Sequence, residues 1–193
     1  MKVIIIKYNA GNARSVSYSL ERIGINAIIS DDIEEIRSAD KIIFPGVGAA
    51  GPAMAYLKER KLDEVIVSLK QPLLGICLGM QLLCERSEEG DVKCLSVFDE
   101  NVKKIAGDIK IPHVGWNNIA GLNSPLFNDI PDGSFMYFVH SYYVPLCPFT
   151  VAQTDYAGIY SAALQKNNFY AVQFHPEKSG EDGQKVLENF IKL

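Results

Sequence analysis

Apolar runs that do not alternate constrain this chain more than any other feature. KVIIIKY (2–8), NAIIS (26–30), DKIIFPG (40–46) and PLLGI (72–76) place hydrophobic, largely β-branched side chains at consecutive positions. Successive side chains of a strand point to opposite faces, so an unbroken apolar run is buried on both. That is the condition of a parallel sheet covered by helices on each side. The helical patterns fall between the runs. From Gly11 to Gly24, Val16, Leu20 and Ile23 lie at i, i+4 and i+7, one face of a helix. Further helical patterns extend from about Ala50 to Lys70 and from Leu78 to about Glu85. The expected fold is α/β, an open, mixed but mainly parallel sheet with helices on both faces.

The second half changes character. NVKKI, IKIPHVGWNNIA, FMYFVHSYYV, FTVAQTD, YSAALQK and FYAVQFH are short strand-like runs separated by turn residues, a pattern that favours antiparallel pairing. In the final SGEDGQKVLENFIKL, the residues Val186, Leu187, Phe190 and Ile191 form one apolar stripe, so the chain closes with an amphipathic helix. No internal repeat, low-complexity tract or linker interrupts the 193 residues, of which 48% are hydrophobic. One domain spanning residues 1–193, with an antiparallel extension of its sheet, is expected.

Charge and cysteine use narrow the function classes. The formal net charge is −4 and no Lys/Arg cluster exceeds two consecutive residues, which argues against nucleic acid. The opening MKVIIIKYNAGN turns polar after a short apolar run, so it reads as a core strand and not as a secretion signal. No stretch reaches the roughly 20 apolar residues that span a bilayer. A cytoplasmic protein is expected, with Cys77, Cys84, Cys94 and Cys147 as free thiols. There is no C-x-x-C pair, and His113, His140 and His175 are scattered, so neither a metal site nor a cofactor is expected.

Chemistry concentrates where PLLGI meets the next helix. Gly75-Ile76-Cys77-Leu78-Gly79 has the spacing of a nucleophile elbow, in which a tight turn lifts a side chain above the sheet edge. The helix N-terminus beside Cys77 favours a thiolate. The competing reading is a buried core thiol, the role expected of Cys84, Cys94 and Cys147. A cysteine nucleophile needs a base, and the base needs an orienting group. His175 ends the run FYAVQFH, Pro176 stops the strand, and Glu177 follows two residues on. These two are the expected base and its orienter, against the alternatives of a loop histidine and a solvated carboxylate. Acyl transfer also needs an oxyanion hole. The amide of Leu78 and that of Val47, within Pro45-Gly46-Val47-Gly48, are the expected donors. Glycines on both sides of Val47 also let its peptide turn over, so whether the hole is formed in the chain alone is open at this point.

PGVG (45–48), GICLGMQLL (75–83) and FHPE (174–177), taken in order, resemble the class I (triad) glutamine amidotransferases. The resemblance covers the chain from YNAGNARSV (8–16) to the last helix and implies a flavodoxin-like form of the expected sheet. Within that class, the AGN motif, CLGMQLL, EEG (88–90), IPHVGWN (111–117), FVHSYY (138–143) and HPEKSG (175–180) are most similar to the glutaminase subunits of imidazole glycerol phosphate synthases.

The resemblance implies that Cys77 attacks the side-chain amide of L-glutamine, with His175 and Glu177 completing the triad, and that water hydrolyses the resulting thioester. Gly48, Gln81, Ser141 and Tyr142 would surround the substrate. Ammonia would pass to a (β/α)8-barrel cyclase subunit in a heterodimer of histidine biosynthesis, with Asn12, Trp116 and Lys178 facing that partner. His140 would lie beside the pocket, although a strand histidine is ordinarily structural. The alternatives are a subunit serving anthranilate, GMP or carbamoyl phosphate synthesis, or a scaffold without catalysis. The intact triad argues against the last.

Overall fold

The computed structural model describes residues 1–9 and 11–193; Ala10, within the AGN motif, lies outside the described residues. The first half contains β1 (Val3–Ile6), α1 (Ala13–Arg22), β2 (Ile28–Ser30), α2 (Ile33–Arg37), β3 (Lys41–Phe44), α3 (Ala50–Glu59), α4 (Leu62–Ser68), β4 (Leu73–Ile76) and α5 (Leu78–Leu82). The second half adds β5 (Arg86–Ser87), β6 (Val92–Lys93), β7 (Asn101–Lys104), β8 (His113–Asn118), β9 (Phe135–His140) and β10 (Tyr142–Tyr143). Then follow β11 (Thr150–Asp155), β12 (Ile159–Lys166), β13 (Phe169–Val172) and α6 (Gly180–Lys192).

The central sheet has seven strands in the order β11-β12-β13-β4-β3-β1-β2. The strands from β13 to β2 pair in parallel, and β12 and β11 extend the sheet antiparallel. Every residue of β1, β3, β4 and β13 is buried, as unbroken apolar runs require. Neighbours in each run serve opposite faces. Ile4, Ile42 and Leu73 join the layer of α3 and α4, with Met54, Leu57 and Ile66. Ile5, Ile43 and Leu74 join the layer of α1 and α6, with Leu20, Val186 and Phe190. A four-stranded sheet, β10-β7-β5-β6, and the antiparallel pair β8–β9 complete the strands.

Three sequence expectations need correction. The helix expected over 50–70 is two helices. The N–H of Lys61 bonds back to Lys58 and closes α3, and Lys61 then takes a left-handed φ of 57°. That re-aims the chain so that Leu62, Val65 and Ile66 are buried. The helix after the elbow stops at Leu82 instead of about Glu85. The carbonyls of Leu82, Leu83 and Cys84, which would accept from the next turn, are taken by the amides of Leu95, Val97 and Ser96. Lastly, β13 belongs to the antiparallel half only on one side. On the other it runs parallel to β4, with Val172 beside Ile76, and this brings the residues after Val172 next to Cys77. Among the described residues no helix is long and apolar enough to cross a membrane.

Candidate active site

Open α/β sheets bind ligands at the carboxyl ends of their strands, and the ends of β1, β3, β4 and β13 meet here. Cys77 follows β4 with φ 53° and ψ −108°, a backbone that residues with a Cβ rarely occupy. Its N–H donates to the Val172 carbonyl at 2.8 Å and its carbonyl accepts from the Gln81 N–H at 3.2 Å. The flanking glycines serve close approach. A Cβ on Gly79 would overlap the Phe44 carbonyl oxygen, and one on Gly75 would lie 2.8 Å from Leu83 Cδ1. The side chain of Cys77 is buried, yet it lines a cleft of about 310 Å³. The other thiols are packing residues. Burial pushes Cys84 well up and Cys94 up to about 11, while Cys147 packs half-buried against the core.

His175 follows β13 and is buried. Its Nδ1 is 2.8 Å from Glu177 Oε1, and the Glu177 side chain is buried as well. Burial disfavours an imidazolium here, but the neighbouring Cys77 sulfur and the Glu177 carboxylate outweigh it and raise His175 to about 10. Ser179 fixes the turn. Its hydroxyl donates to the His175 carbonyl at 2.7 Å and accepts from the Tyr137 N–H at 2.9 Å. Asn12, at the start of α1, donates from Nδ2 to the same Glu177 oxygen as His175. Its side chain is thus committed to the carboxylate behind the imidazole, whereas the sequence pointed it at a partner.

The expected oxyanion pair does not converge. The Leu78 N–H donates to the Gly46 carbonyl at 3.3 Å. In a trans peptide the N–H lies opposite the C=O, so the Val47 N–H of that same peptide points away from Leu78. The physical reason is local. Leu78 is the first residue of α5, its N–H has no partner within the helix, and the Gly46 carbonyl satisfies it. The Tyr8 hydroxyl holds the preceding carbonyl, that of Pro45, at 2.5 Å, and Gly48 takes φ 113°.

Gly48, Gln81, Ser141 and Tyr142 all line the cleft, as expected. Gln81 is buried and not solvent-facing. Its Nε2 donates to the Tyr142 carbonyl at 2.9 Å and to Gln173 Oε1 at 3.0 Å, so only its oxygen is left for the cleft. Gln173 was missed by the sequence reading. Its signal is a glutamine inside the apolar run YAVQF, where a buried amide must find partners. His140 lines the cleft, while His113 lies behind it, and burial holds both neutral, at about 3 and about 4. On the outer face of β8–β9, Trp116 is 55% exposed and crosses Tyr137 edge-on at 6.0 Å. Lys178 lines the cleft and lies over the same Tyr137 ring.

A thiol, an imidazole and a carboxylate gathered at one sheet edge are the groups that cysteine-dependent acyl transfer needs. The family follows from comparison with known proteins. The chain belongs to the glutamine amidotransferase class-I family, whose model matches residues 5–193. It is 57% identical, over 100% of both chains, to the imidazole glycerol phosphate synthase subunit HisH of Bacteroides thetaiotaomicron. To the HisH protein of the same description from Yersinia pseudotuberculosis it is 46% identical, again over 100% of both. Among solved structures, a putative GMP synthase component from Thermoplasma acidophilum superimposes with a TM-score of 0.76 at 21% identity, covering 100% of this chain and 93% of the other. A structure described as glutamine amidotransferase gives 0.77 at 16% identity, over 98% of this chain and 97% of that one. Likeness this distant shows the fold.

Proposed function

We infer that this chain works as the glutaminase subunit of an imidazole glycerol phosphate synthase, releasing ammonia from L-glutamine for a cyclase partner. The observation that carries the reading is the meeting of Cys77 and His175 in one cleft, with His175 Nδ1 bonded to Glu177 Oε1 at 2.8 Å. The thiolate of Cys77 attacks the side-chain amide carbon of glutamine. The C=O π pair moves onto oxygen and gives a tetrahedral oxyanion. The oxyanion collapses, the C–N bond breaks, and the imidazolium of His175 gives its proton to the leaving ammonia. Water then adds to the glutamyl thioester with neutral His175 taking its proton. Glutamate leaves and the Cys77–His175 pair is restored. Glu177 holds Nδ1–H and stabilises the charged ring at each stage.

Oxyanion stabilisation by Leu78 and Val47 requires the Gly46–Val47 peptide to turn over, which frees the Leu78 N–H and aims the Val47 N–H at the same point. Gly48, Ser141 and Tyr142 and the oxygen of Gln81 surround the glutamine. The partner is a (β/α)8-barrel cyclase docked over the cleft mouth. Supporting this, Val114, Trp116 and Phe135 are exposed on one apolar face of β8–β9, which meets the cleft at Val139 and Lys178. A barrel seated there would keep ammonia from water, where it would become ammonium. Asn12 belongs to this rim only through Glu177. The whole of residues 1–193 acts as one glutaminase domain in the cytoplasm.

The test is glutamate release with and without the barrel partner plus its nucleotide ligand. Cys77→Ala should lower the stimulated rate by at least ~10⁴-fold and still bind the barrel. A glutamine-like chloroketone should label Cys77 alone among the four cysteines. Native-rate turnover by Cys77→Ala, or labelling chiefly at Cys84, would end this assignment.

A further inference from the structure

Gln173 follows β13, is 0% exposed and touches the nucleophile. Its Nε2 lies 3.7 Å from Cys77 Sγ, and its Oε1 accepts from Gln81, which in turn donates to the Tyr142 carbonyl. The direction of this chain is fixed at its far end. A carbonyl can only accept, so Gln81 must turn its NH₂ group to Tyr142. That NH₂ can meet Gln173 only at an acceptor. Gln173 therefore turns its oxygen to Gln81 and its nitrogen to the sulfur, and no amide flip satisfies all three contacts.

The same carbonyl sets a second branch. His140 Nδ1 is 2.8 Å from it, so the proton is on Nδ1. In the neutral ring, Nε2 then accepts from the Tyr160 hydroxyl at 3.0 Å, and the Tyr160 oxygen accepts from His113 Nδ1 at 2.9 Å. Tyr160 is itself buried. One backbone carbonyl on the cleft wall thus sets the donor direction all the way to the thiol.

We propose that Gln173 is a catalytic residue whose side-chain N–H donates to the Cys77 thiolate and stabilises it before acyl transfer. The sulfur has two opposed neighbours. The Val139 carbonyl, 3.7 Å away, accepts from the protonated thiol, and Gln173 donates to the ionised form. Titratable or charged groups that share the cleft with Cys77 are His175, His140, Tyr142, Lys178 and Glu89, with Glu177 behind His175 and Tyr8 after β1. His175 supplies charge and exchanges the proton. Gln173 supplies a neutral donor that keeps its hydrogen throughout the cycle. The inference rests on the glutaminase reading only for the role of Cys77.

The test is Gln173→Met, close in length and shape but without the N–H. Iodoacetamide alkylation of Cys77, located by peptide mapping, is followed against pH in the full chain without glutamine. The alkylation midpoint should rise by about 0.5–1 pH unit, and barrel-stimulated glutamate release should fall roughly tenfold or more. Should that variant not fold, Gln81→Met is read the same way. It frees the Gln173 amide to rotate, so the midpoint rises by a smaller amount. An unchanged midpoint in either folded variant overturns the proposal. Because alkylation needs no glutamine, such a failure leaves the glutaminase reading standing. Absence of glutamate release by the native complex would defeat that reading without touching the alkylation result.

Discussion

The two sides of the cleft are in different states of readiness. On one side His175 and the Glu177 side chain are buried and bonded together, half-buried Asn12 holds the same carboxylate oxygen, and Cys77 lines the same cleft as His175. On the other side the Gly46 carbonyl occupies the Leu78 N–H that an oxyanion would need. The chain thus has the groups that create and move charge, but not the donor pair that stabilises charge developing on the substrate. Oxyanion donors each contribute about 2.7–4 kcal/mol to the chemical step. On the proposed function, such a site should turn over slowly alone and faster once the Gly46–Val47 peptide is turned.

The comparison breaks most severely at Glu177. Glu177→Gln keeps the size of the side chain but removes the carboxylate that raises His175. Barrel-stimulated kcat/KM for glutamine should fall by roughly 10³–10⁴-fold, and the imidazole titration followed by NMR should move down from about 10. A loss below tenfold would mean that the assembled side does not carry the reaction.

A smaller effect comes from the buried histidines, which contrast with one another. His175, His140 and His113 are all buried, yet only the first has a carboxylate and a thiol beside it. His140 and His113 have a carbonyl and a phenol hydroxyl, and burial lowers them to about 3 and about 4. Their unfolded forms take a proton near 6.5 that the folded forms refuse. Their contribution is therefore complete above about pH 6.5 and is lost as pH falls towards 4 and 3. His175 has the opposite sign. Its share is complete below about pH 6.5 and is lost as pH rises through about 10. The urea midpoint should be lower at pH 5 than at pH 7.5. Tyr160→Phe, which strips the partner from two buried ring nitrogens, should cost about 1–3 kcal/mol at pH 7.5. A midpoint flat between the two pH values, with Tyr160→Phe at native stability, would remove the contrast.

Legibility in the sequence follows the same division. The strands were readable because an unbroken apolar run has one physical solution, and Cys77, His175 and Glu177 were readable because each sits at the end of such a run. Contacts decided by tertiary geometry were not. Asn12 reaches a carboxylate far along the chain, and nothing in AGN announces it. Gln173 was visible as a polar residue in an apolar run, but its direction depends on Gln81 and on a carbonyl of β10. The break at Lys61 and the early end of α5 depend on hydrogen bonds that compete with the helical pattern. The orientation of the Gly46–Val47 peptide lies furthest from reach, because glycine leaves ψ of residue 46 free and the selection falls to the contact with Leu78 and to the backbone of Val47.

That selection leads to the smallest effect. The backbone has two soft dihedrals per residue, so turning a peptide over changes ψ of the residue before it and φ of the residue after it by about 180° each. For the Gly46–Val47 peptide these are ψ of Gly46 and φ of Val47. Glycine accepts the change at 46 without strain. Val47 is not among the residues with positive φ, and the turn carries it there. A β-branched residue is an outlier in that region, at a cost of roughly 1–2 kcal/mol. The valine thus opposes the turn, while its N–H is the donor that the proposed turned form would offer. Val47→Gly keeps the N–H and removes the cost. Glutamate release without the barrel partner should rise roughly tenfold, which is what about 1.4 kcal/mol allows. The stimulated rate should change much less, because the partner already meets that cost, so the ratio of stimulated to basal rate should shrink. Unchanged basal turnover in Val47→Gly would place the barrier somewhere other than this peptide.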